Sequence, residues 1–305
     1  MIKKLQKMKL FRLASGKWVA KPIDAAITLG LPHLIGPEQT GLSQLAEQTS
    51  SHPDYLRRLL LGLSALGIFK ALAGDYFKEN AMSRLLREDD VSSLFGMFQS
   101  DWHDAAWNRL ADSVRAGVPA FELAMNEPAF SWFKKHPEAA NQFNQAGNHK
   151  SRQLGSWGGQ FSLSRFNRVC DIGGGLGGLL IELLKNHPHL SGIVYDLAYL
   201  EKAATVKLIE AGLMDRSRFV AGDMFQDDLP ESDLYLLSNI LHDWDDKRCR
   251  QILSKLRTAM DRDKRLLIIE MILPKKRNRF SIASLMDLEV MVMGGGMERN
   301  LDQYR

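Results

Sequence analysis

Arg168-Val-Cys-Asp171-Ile-Gly173-Gly-Gly175-Leu-Gly177-Gly178, running on into Leu179, Leu180, Ile181, Leu183 and Leu184, decides the fold of this 305-residue chain. Arg168 to Ile172 is short, apolar and bounded by glycine, the pattern of a buried strand, and the leucines after Gly178 return at helical spacing. Strand, glycine turn and helix in that order place a ligand-accessible backbone at the carboxyl end of a parallel strand, where open α/β sheets build their sites.

Two ligand classes compete for that turn. Gly173, Gly175 and Gly178 satisfy the dinucleotide fingerprint G-x-G-x-x-G, a pattern that a tight turn without any ligand also satisfies. Asp171 tilts the choice, because a carboxylate there repels a pyrophosphate and suits a ligand carrying an ammonium and a sulfonium. Asp171-x-Gly173-x-Gly175-x-Gly177 therefore favours S-adenosylmethionine.

Working outward, strand and helix alternate to near the end of the chain. Gly192–Asp196, Arg218–Asp223, Asp233–Asn239 and Arg265–Pro274 read as further strands, and we expect a helical crossover between each consecutive pair. The fold class is α/β: a doubly wound, mostly parallel Rossmann-like sheet with helices on both faces. Polar residues recur at its strand ends. Asp196 is placed to accept the hydroxyls of a ribose, and Asp223 to meet an adenine amino group, with Met224 and Phe225 as apolar cover. One nucleoside explains these features together, whereas a helix-capping role would explain each aspartate only singly.

The first ninety or so residues read differently. Ile23, Ala26, Ile27 and Leu29 form one apolar helix face, Leu56, Leu59, Leu60, Leu63 and Leu66 another. Ile68–Leu72 and Tyr76–Lys78 flank a Gly74-Asp75 turn as a small hairpin. Helices followed by a hairpin give a winged-helix-like pattern. Its leucine-rich third helix carries only Arg57 and Arg58 as a basic pair, so self-association fits better than DNA binding. We divide the chain into 1–95, the mainly helical dimerisation domain, and 96–305, a helical connector plus the cofactor-binding domain. In the connector, His103, Trp107, Phe130, Phe133, Phe143 and Asn144 are candidates to line a pocket for a flat apolar substrate, although aromatic stripes also build cores.

Bulk properties exclude other classes. A formal charge of +4 without a basic, aromatic-interleaved stripe does not indicate nucleic-acid binding. No run approaches the length of a membrane span. Met1–Ser15 is basic and amphipathic but lacks the apolar core of a signal peptide. Cys170 and Cys249 read as reduced core residues, which points to the cytoplasm. Lys275, Lys276, Arg277 and Arg279 read as a solvated loop, and no His/Cys cluster has zinc spacing, so no metal is expected.

The fourth strand ends in Asn239-Ile-Leu-His242-Asp-Trp244-Asp-Asp. With Asp171-Ile-Gly-Gly-Gly-Leu-Gly, Val194-Tyr-Asp196-Leu197, Gly222-Asp223-Met224-Phe225, Ile269-Glu270-Met-Ile-Leu-Pro274 and Gly295-Gly-Met-Glu298-Arg299, the chain resembles the caffeate and hydroxyindole (acetylserotonin) type of S-adenosylmethionine-dependent O-methyltransferase. The likeness covers nearly the whole chain. It implies a homodimer and a hydroxylated small-molecule acceptor. It implies further that His242 is the general base, flanked and oriented by Glu270 and Glu298, and that Trp244 stacks on adenine.

The same resemblance adds Leu197, Gly222, Ser238 and Asn239 to the cofactor-binding set. His103, Trp107, Phe130, Phe143 and Asn144 form the expected acceptor-binding set. Ser238 stands where plant members usually carry lysine, and Gly147 where the family often has methionine over the substrate. The chain is also expected to lack the last strands of the family sheet. Three other readings fit some of the same residues: a cofactor-binding relative that transfers no methyl group, a winged-helix regulator with a ligand-sensing domain, and an NAD-dependent oxidoreductase.

Overall fold

A computed structural model describes residues 2–156, 162–275 and 280–305. The chain divides into two compact units, Met1–Asp101 and Trp102–Arg305. Lys276, Arg277 and Arg279 of the basic run lie outside the described residues, while Lys275 pairs with Asp302 at 2.8 Å.

The first unit contains helices α1 (Ile2–Ala14), α2 (Lys17–Thr28), α3 (Leu31–Leu34), α4 (Leu42–Gln48), α5 (Pro53–Ala65), α6 (Ala81–Leu85) and α7 (Asp89–Phe98). Its strands β1 (Thr40–Gly41), β2 (Lys70–Leu72) and β3 (Tyr76–Lys78) form an antiparallel sheet in the order β1-β3-β2. The hairpin lies where the sequence places it. Thr40 and Gly41, a strand of only two residues, pair with Phe77 and Tyr76. Leu56, Leu60 and Leu63 of α5 meet Ala26, Leu31, Leu45, Phe69 and Phe77 in one buried cluster. Arg87 staples the unit, donating to the carbonyls of Pro32 and Ile35 at 2.6 and 2.9 Å and pairing with Glu79. By contrast, Leu5, Leu10, Phe11 and Leu13 of α1 stay exposed in the single chain.

The second unit opens with α8 (Asp101–Asn108), α9 (Leu110–Ala116), α10 (Ala120–Met125), α11 (Ala129–Phe133) and α12 (Pro137–Ser156). There follow β4 (Arg168–Ile172), α13 (Gly178–Asn186), β5 (Ser191–Asp196), α14 (Glu201–Glu210), β6 (Ser217–Ala221), β7 (Leu234–Ser238), α15 (Asp246–Ala259), β8 (Arg265–Ile269), α16 (Ile282–Met293) and α17 (Leu301–Tyr304). The five strands β4 to β8 are parallel in the order β6-β5-β4-β7-β8, which puts the reversal of strand order between β4 and β7.

Alternation along the strands separates two cores. Val169, Val194, Leu234 and Leu236 pack with Leu180 and Leu184 of α13 on one face. Cys170, Ile172, Ile193, Tyr195, Tyr235 and Leu237 pack with Ile252 and Leu256 of α15 on the other. Burial on both faces explains why these strands read as unbroken apolar runs.

One expected element is absent. No helix occurs between β6 and β7 among the described residues. Asp223 and Asp227 fold that stretch into a turn: Asp223 N–H donates to Asp227 Oδ2 at 2.8 Å, and Phe225 N–H to Asp223 Oδ1 at 2.8 Å. Side-chain bonds of this kind compete with helix formation. Strand ends are also shorter than read, with β6 stopping at Ala221 and β8 at Ile269.

Candidate active site

The glycine turn leaves β4 with Gly173, Gly175 and Gly177 all at positive φ, conformations that residues with a Cβ rarely adopt. A Cβ on Gly173 would also stand 2.3 Å from Ile240 Cδ1. Gly177, not Gly178, is the N-cap of α13. Gly175 N–H donates to Asp196 Oδ2 at 2.7 Å, and Leu197 N–H to Asp196 Oδ1 at 2.7 Å, so both oxygens of that carboxylate are held by backbone at the end of β5.

Asp171 sits in β4 beneath the turn, 2% exposed. Burial pushes its carboxyl up to about 8, with the neighbouring Asp196 carboxylate adding to the rise. It forms no ion pair among the described residues. Burial raises Asp196 too, against the opposing pull of its two amide donors.

Around this turn the structure gathers most of the expected cofactor set. Gly222 N–H bonds to Asp196 O at 2.9 Å, and a Cβ on Gly222 would lie 2.4 Å from the Tyr195 hydroxyl. Met224 Cε reaches within 3.3 Å of where a Gly173 Cβ would be. Asn239 leaves β7 at φ 54°, donating its N–H to Ile269 O, with its amide 3.3 Å from Ser238 Oγ. Asp223 accepts Phe225 N–H on one oxygen, at 2.8 Å, and Gln226 Nε2 on the other, at 2.9 Å. Trp244 is half-buried, with Phe130 stacked on it at 5.6 Å and Phe225 edge-on at 4.7 Å.

Immediately beyond Asn239, the 3₁₀ turn Leu241–Asp243 carries His242, 6% exposed. Its Nδ1 lies 2.8 Å from Glu298 Oε1 and 3.9 Å from Glu270 Oε2, and its Nε2 lies 3.5 Å from Asp243 Oδ1. A carboxylate only accepts, so the Nδ1 bond puts the proton on Nδ1 and the lone pair on Nε2.

The two glutamates have different tasks. Glu270 Oε1 accepts the N–H groups of Ile240 and Leu241 at 3.0 and 2.8 Å, fixing the backbone of the turn, whereas Glu298 binds the imidazole itself. Oε2 of each is buried without a hydrogen-bond partner. Burial raises Glu270, although His242 and the two amides pull the other way. The ligand atoms of His242, Glu270 and Glu298 lie within 4.8 Å of one another, a donor set that a metal ion would accept; here the histidine and Glu298 satisfy each other directly.

Sequence reasoning missed what holds this arrangement. Asp287 of α16 accepts Glu298 N–H at 2.9 Å. Arg299 donates to the carbonyls of Leu241 and Trp244, at 2.9 Å each, and to Asp246 Oδ1 at 2.8 Å. Met297 N–H bonds His242 O at 2.8 Å. Asp245 caps α15, its Oδ1 accepting Arg248 N–H at 2.7 Å.

The profile of an O-methyltransferase domain matches residues 107–305, and that of an O-methyltransferase dimerisation domain matches 11–89. The chain belongs to the O-methyltransferase family. The phenazine O-methyltransferase PhzM of Lysobacter antibioticus is 32% identical over 97% of this chain and 87% of its own length. Acetylserotonin O-methyltransferase of Rattus norvegicus is 29% identical over 97% and 70%. Among solved structures, the mitomycin 7-O-methyltransferase MmcR superposes with a TM-score of 0.90 at 31% identity, covering 99% of this chain and 90% of that one. Human N-acetylserotonin methyltransferase in complex with SAM superposes at 0.88 and 26% identity, over 98% and 90%.

The residues expected to contact the acceptor of this O-methyltransferase divide into two groups. Trp107, Phe130, Phe143 and Asn144 are half-buried, whereas Phe133 is a core residue at 1% exposure, packed between Trp102 and Phe143. Asn144 Nδ2 donates to Ala140 O at 2.6 Å. His103 is buried, and its Nε2 lies 3.0 Å from Glu289 Oε1, a partner no local sequence signal announces.

Proposed function

We propose that this O-methyltransferase moves a methyl group from S-adenosylmethionine to a hydroxyl of a flat aromatic acceptor, with His242 as the general base. The observation that carries the reading is the 2.8 Å bond from His242 Nδ1 to the buried Glu298, on a turn that directly follows the cofactor-side residues Ser238 and Asn239. Relatives named for phenazine and acetylserotonin support an aromatic acceptor.

The residues present fit the cofactor. Asp171 is a buried carboxylate without an ion-pair partner among the described residues, which an ammonium would neutralise. Nothing would meet a Cβ at Gly175, so open space adjoins the turn. Asp171, Gly173 and Gly175 would hold the methionine end, with Ser238 and Asn239 beside them. Asp196 and Leu197 would hold the ribose, and Gly222, Asp223, Met224, Phe225 and Trp244 the adenine. When bound, the cofactor supplies an electrophilic methyl group on a good leaving group.

The protein's part is to orient the acceptor and take its proton. The substrate O–H gives its proton to Nε2 of His242, the ring nitrogen that Glu298 leaves with its lone pair. Glu298 stabilises the imidazolium as the positive charge develops. Glu270 and Arg299 hold the backbone of the turn, while holding the acceptor oxygen in line with the methyl group supplies the larger share of the acceleration. His242→Ala should lose most turnover while binding S-adenosylhomocysteine with near-unchanged affinity in titration calorimetry; loss of that binding would refute the role.

We further propose that residues 1–95 form the interface of a homodimer, with the exposed apolar residues of α1 as part of it. Among the described residues no helix is long and apolar enough to cross a membrane. The two buried, unpaired cysteines support a reducing, cytoplasmic setting.

A further inference from the structure

A second polar station stands in the methyltransferase unit, unused by the chemistry above. Glu289 Oε1 and Oε2 lie 3.0 and 3.2 Å from His103 Nε2, and Oε2 also accepts the Trp107 indole N–H at 2.9 Å. The His103 and Glu289 side chains are only 7% and 14% exposed. Burying such a pair between two helices seldom stabilises a fold more than apolar side chains of the same size would. The join between α8 and α16 therefore does not account for it.

Its location does. From His103, ring contacts run unbroken through Trp102, Phe133, Phe143 and Phe130 to Trp244, two residues beyond His242. From Glu289 the helix leads to Gly296, whose N–H bonds Val290 O at 3.3 Å, and to Met297, whose N–H bonds His242 O. The first route ends on the ring of Trp244 and the second on the backbone carbonyl of His242, both within the segment that carries the base. A carboxylate offers about four lone-pair sites, and His103 and Trp107 leave room for another donor.

We infer that Glu289, presented by His103 and Trp107, is the second anchor of the acceptor. It selects a flat acceptor that carries a hydrogen-bond donor, an N–H, an amine or a second hydroxyl, away from the hydroxyl to be methylated. It disfavours an acceptor with a carboxylate at that end. This rests on the methyltransferase reading and names its substrate class.

The test compares 5-hydroxyindole with 5-hydroxybenzofuran, which differ at the distal position by N–H against ring oxygen. The full-length protein is first saturated with S-adenosylhomocysteine, and Kd is measured for both probes; kcat/KM for both is then measured with S-adenosylmethionine. The wild type should prefer the indole by about tenfold or more, the worth of a hydrogen bond to a charged group. Glu289→Leu should bring the ratio to about one, and Glu289→Gln should keep part of the preference. A merely structural Glu289 would lower both probes together and leave the ratio intact. An equal preference in the wild type, an unchanged ratio in Glu289→Leu, or no binding of either probe to the loaded protein overturns the inference and leaves the methyltransferase reading standing. Failure to bind S-adenosylhomocysteine overturns both.

Discussion

Arg299 Nη2 stands 2.8 Å from Asp246 Oδ1, and the same guanidinium reaches the carbonyls of Leu241 and Trp244, which bracket His242. One side chain thus ties the start of α15 to both sides of the histidine turn. Arg299→Met strands two buried carbonyls. It should cost about 2–3 kcal/mol, read as a fall of about 5–10 °C in thermal melting. Arg299→Lys cannot span both carbonyls and should recover only part of this.

Glu298→Gln and Glu270→Gln should separate. The first removes the charge that stabilises the imidazolium and should lower kcat by about a hundredfold, the low end of the range for general-base catalysis. Its affinity for S-adenosylhomocysteine should not change. The second alters a group bound to two backbone amides, so its main effect should appear in thermal stability. Parallel kcat and melting measurements on both variants check the division.

Asp171 makes the free protein sensitive to pH. Its carboxyl lies at about 8 in the fold and near 3.9 in the unfolded chain. The folded state therefore binds more protons between those values, and stability falls as pH rises from about 4 to about 8. An ammonium ligand needs the ionised form, so S-adenosylhomocysteine affinity should rise over the upper part of that window. Binding at pH 7 should release protons, visible as a buffer-dependent heat. Asp171→Asn should melt higher than the wild type at pH 8 and bind the ligand more weakly.

Gly296→Ala places a Cβ 2.0 Å from His242 O and 2.6 Å from the Asp243 carbonyl carbon. Backbone must move, and the moved atoms carry the base. We expect kcat to fall by more than about tenfold, since small misplacements of a reacting group are costly. Ligand affinity at the glycine turn should be kept, as titration calorimetry can establish.

Legibility in the sequence followed locality. The strand-turn-helix at Asp171 to Leu184 was readable because every signal lies within one short stretch. His242 and Glu298 came through a resemblance carried by short motifs. Asp223 was assigned to the ligand from its place after a strand; its bonds to Phe225 and Gln226 build a local turn, which stands where a helix was expected before β7. Thr40–Gly41 was too short to announce a strand. Glu289 and His103, 186 residues apart, have no local signature at all, because burial of an ionisable pair is a property of the packed chain.

Glu298 and Arg299 are consecutive, yet one grips the imidazole and the other the carbonyls beside it. Neighbours in extended backbone face opposite ways, and a slip of one position exchanges their directions. Length, rather than composition, is therefore what the segment between α16 and α17 cannot vary. Substitutions can accumulate there, but a single inserted or deleted residue would turn the acid away from the base and bring a cation in its place.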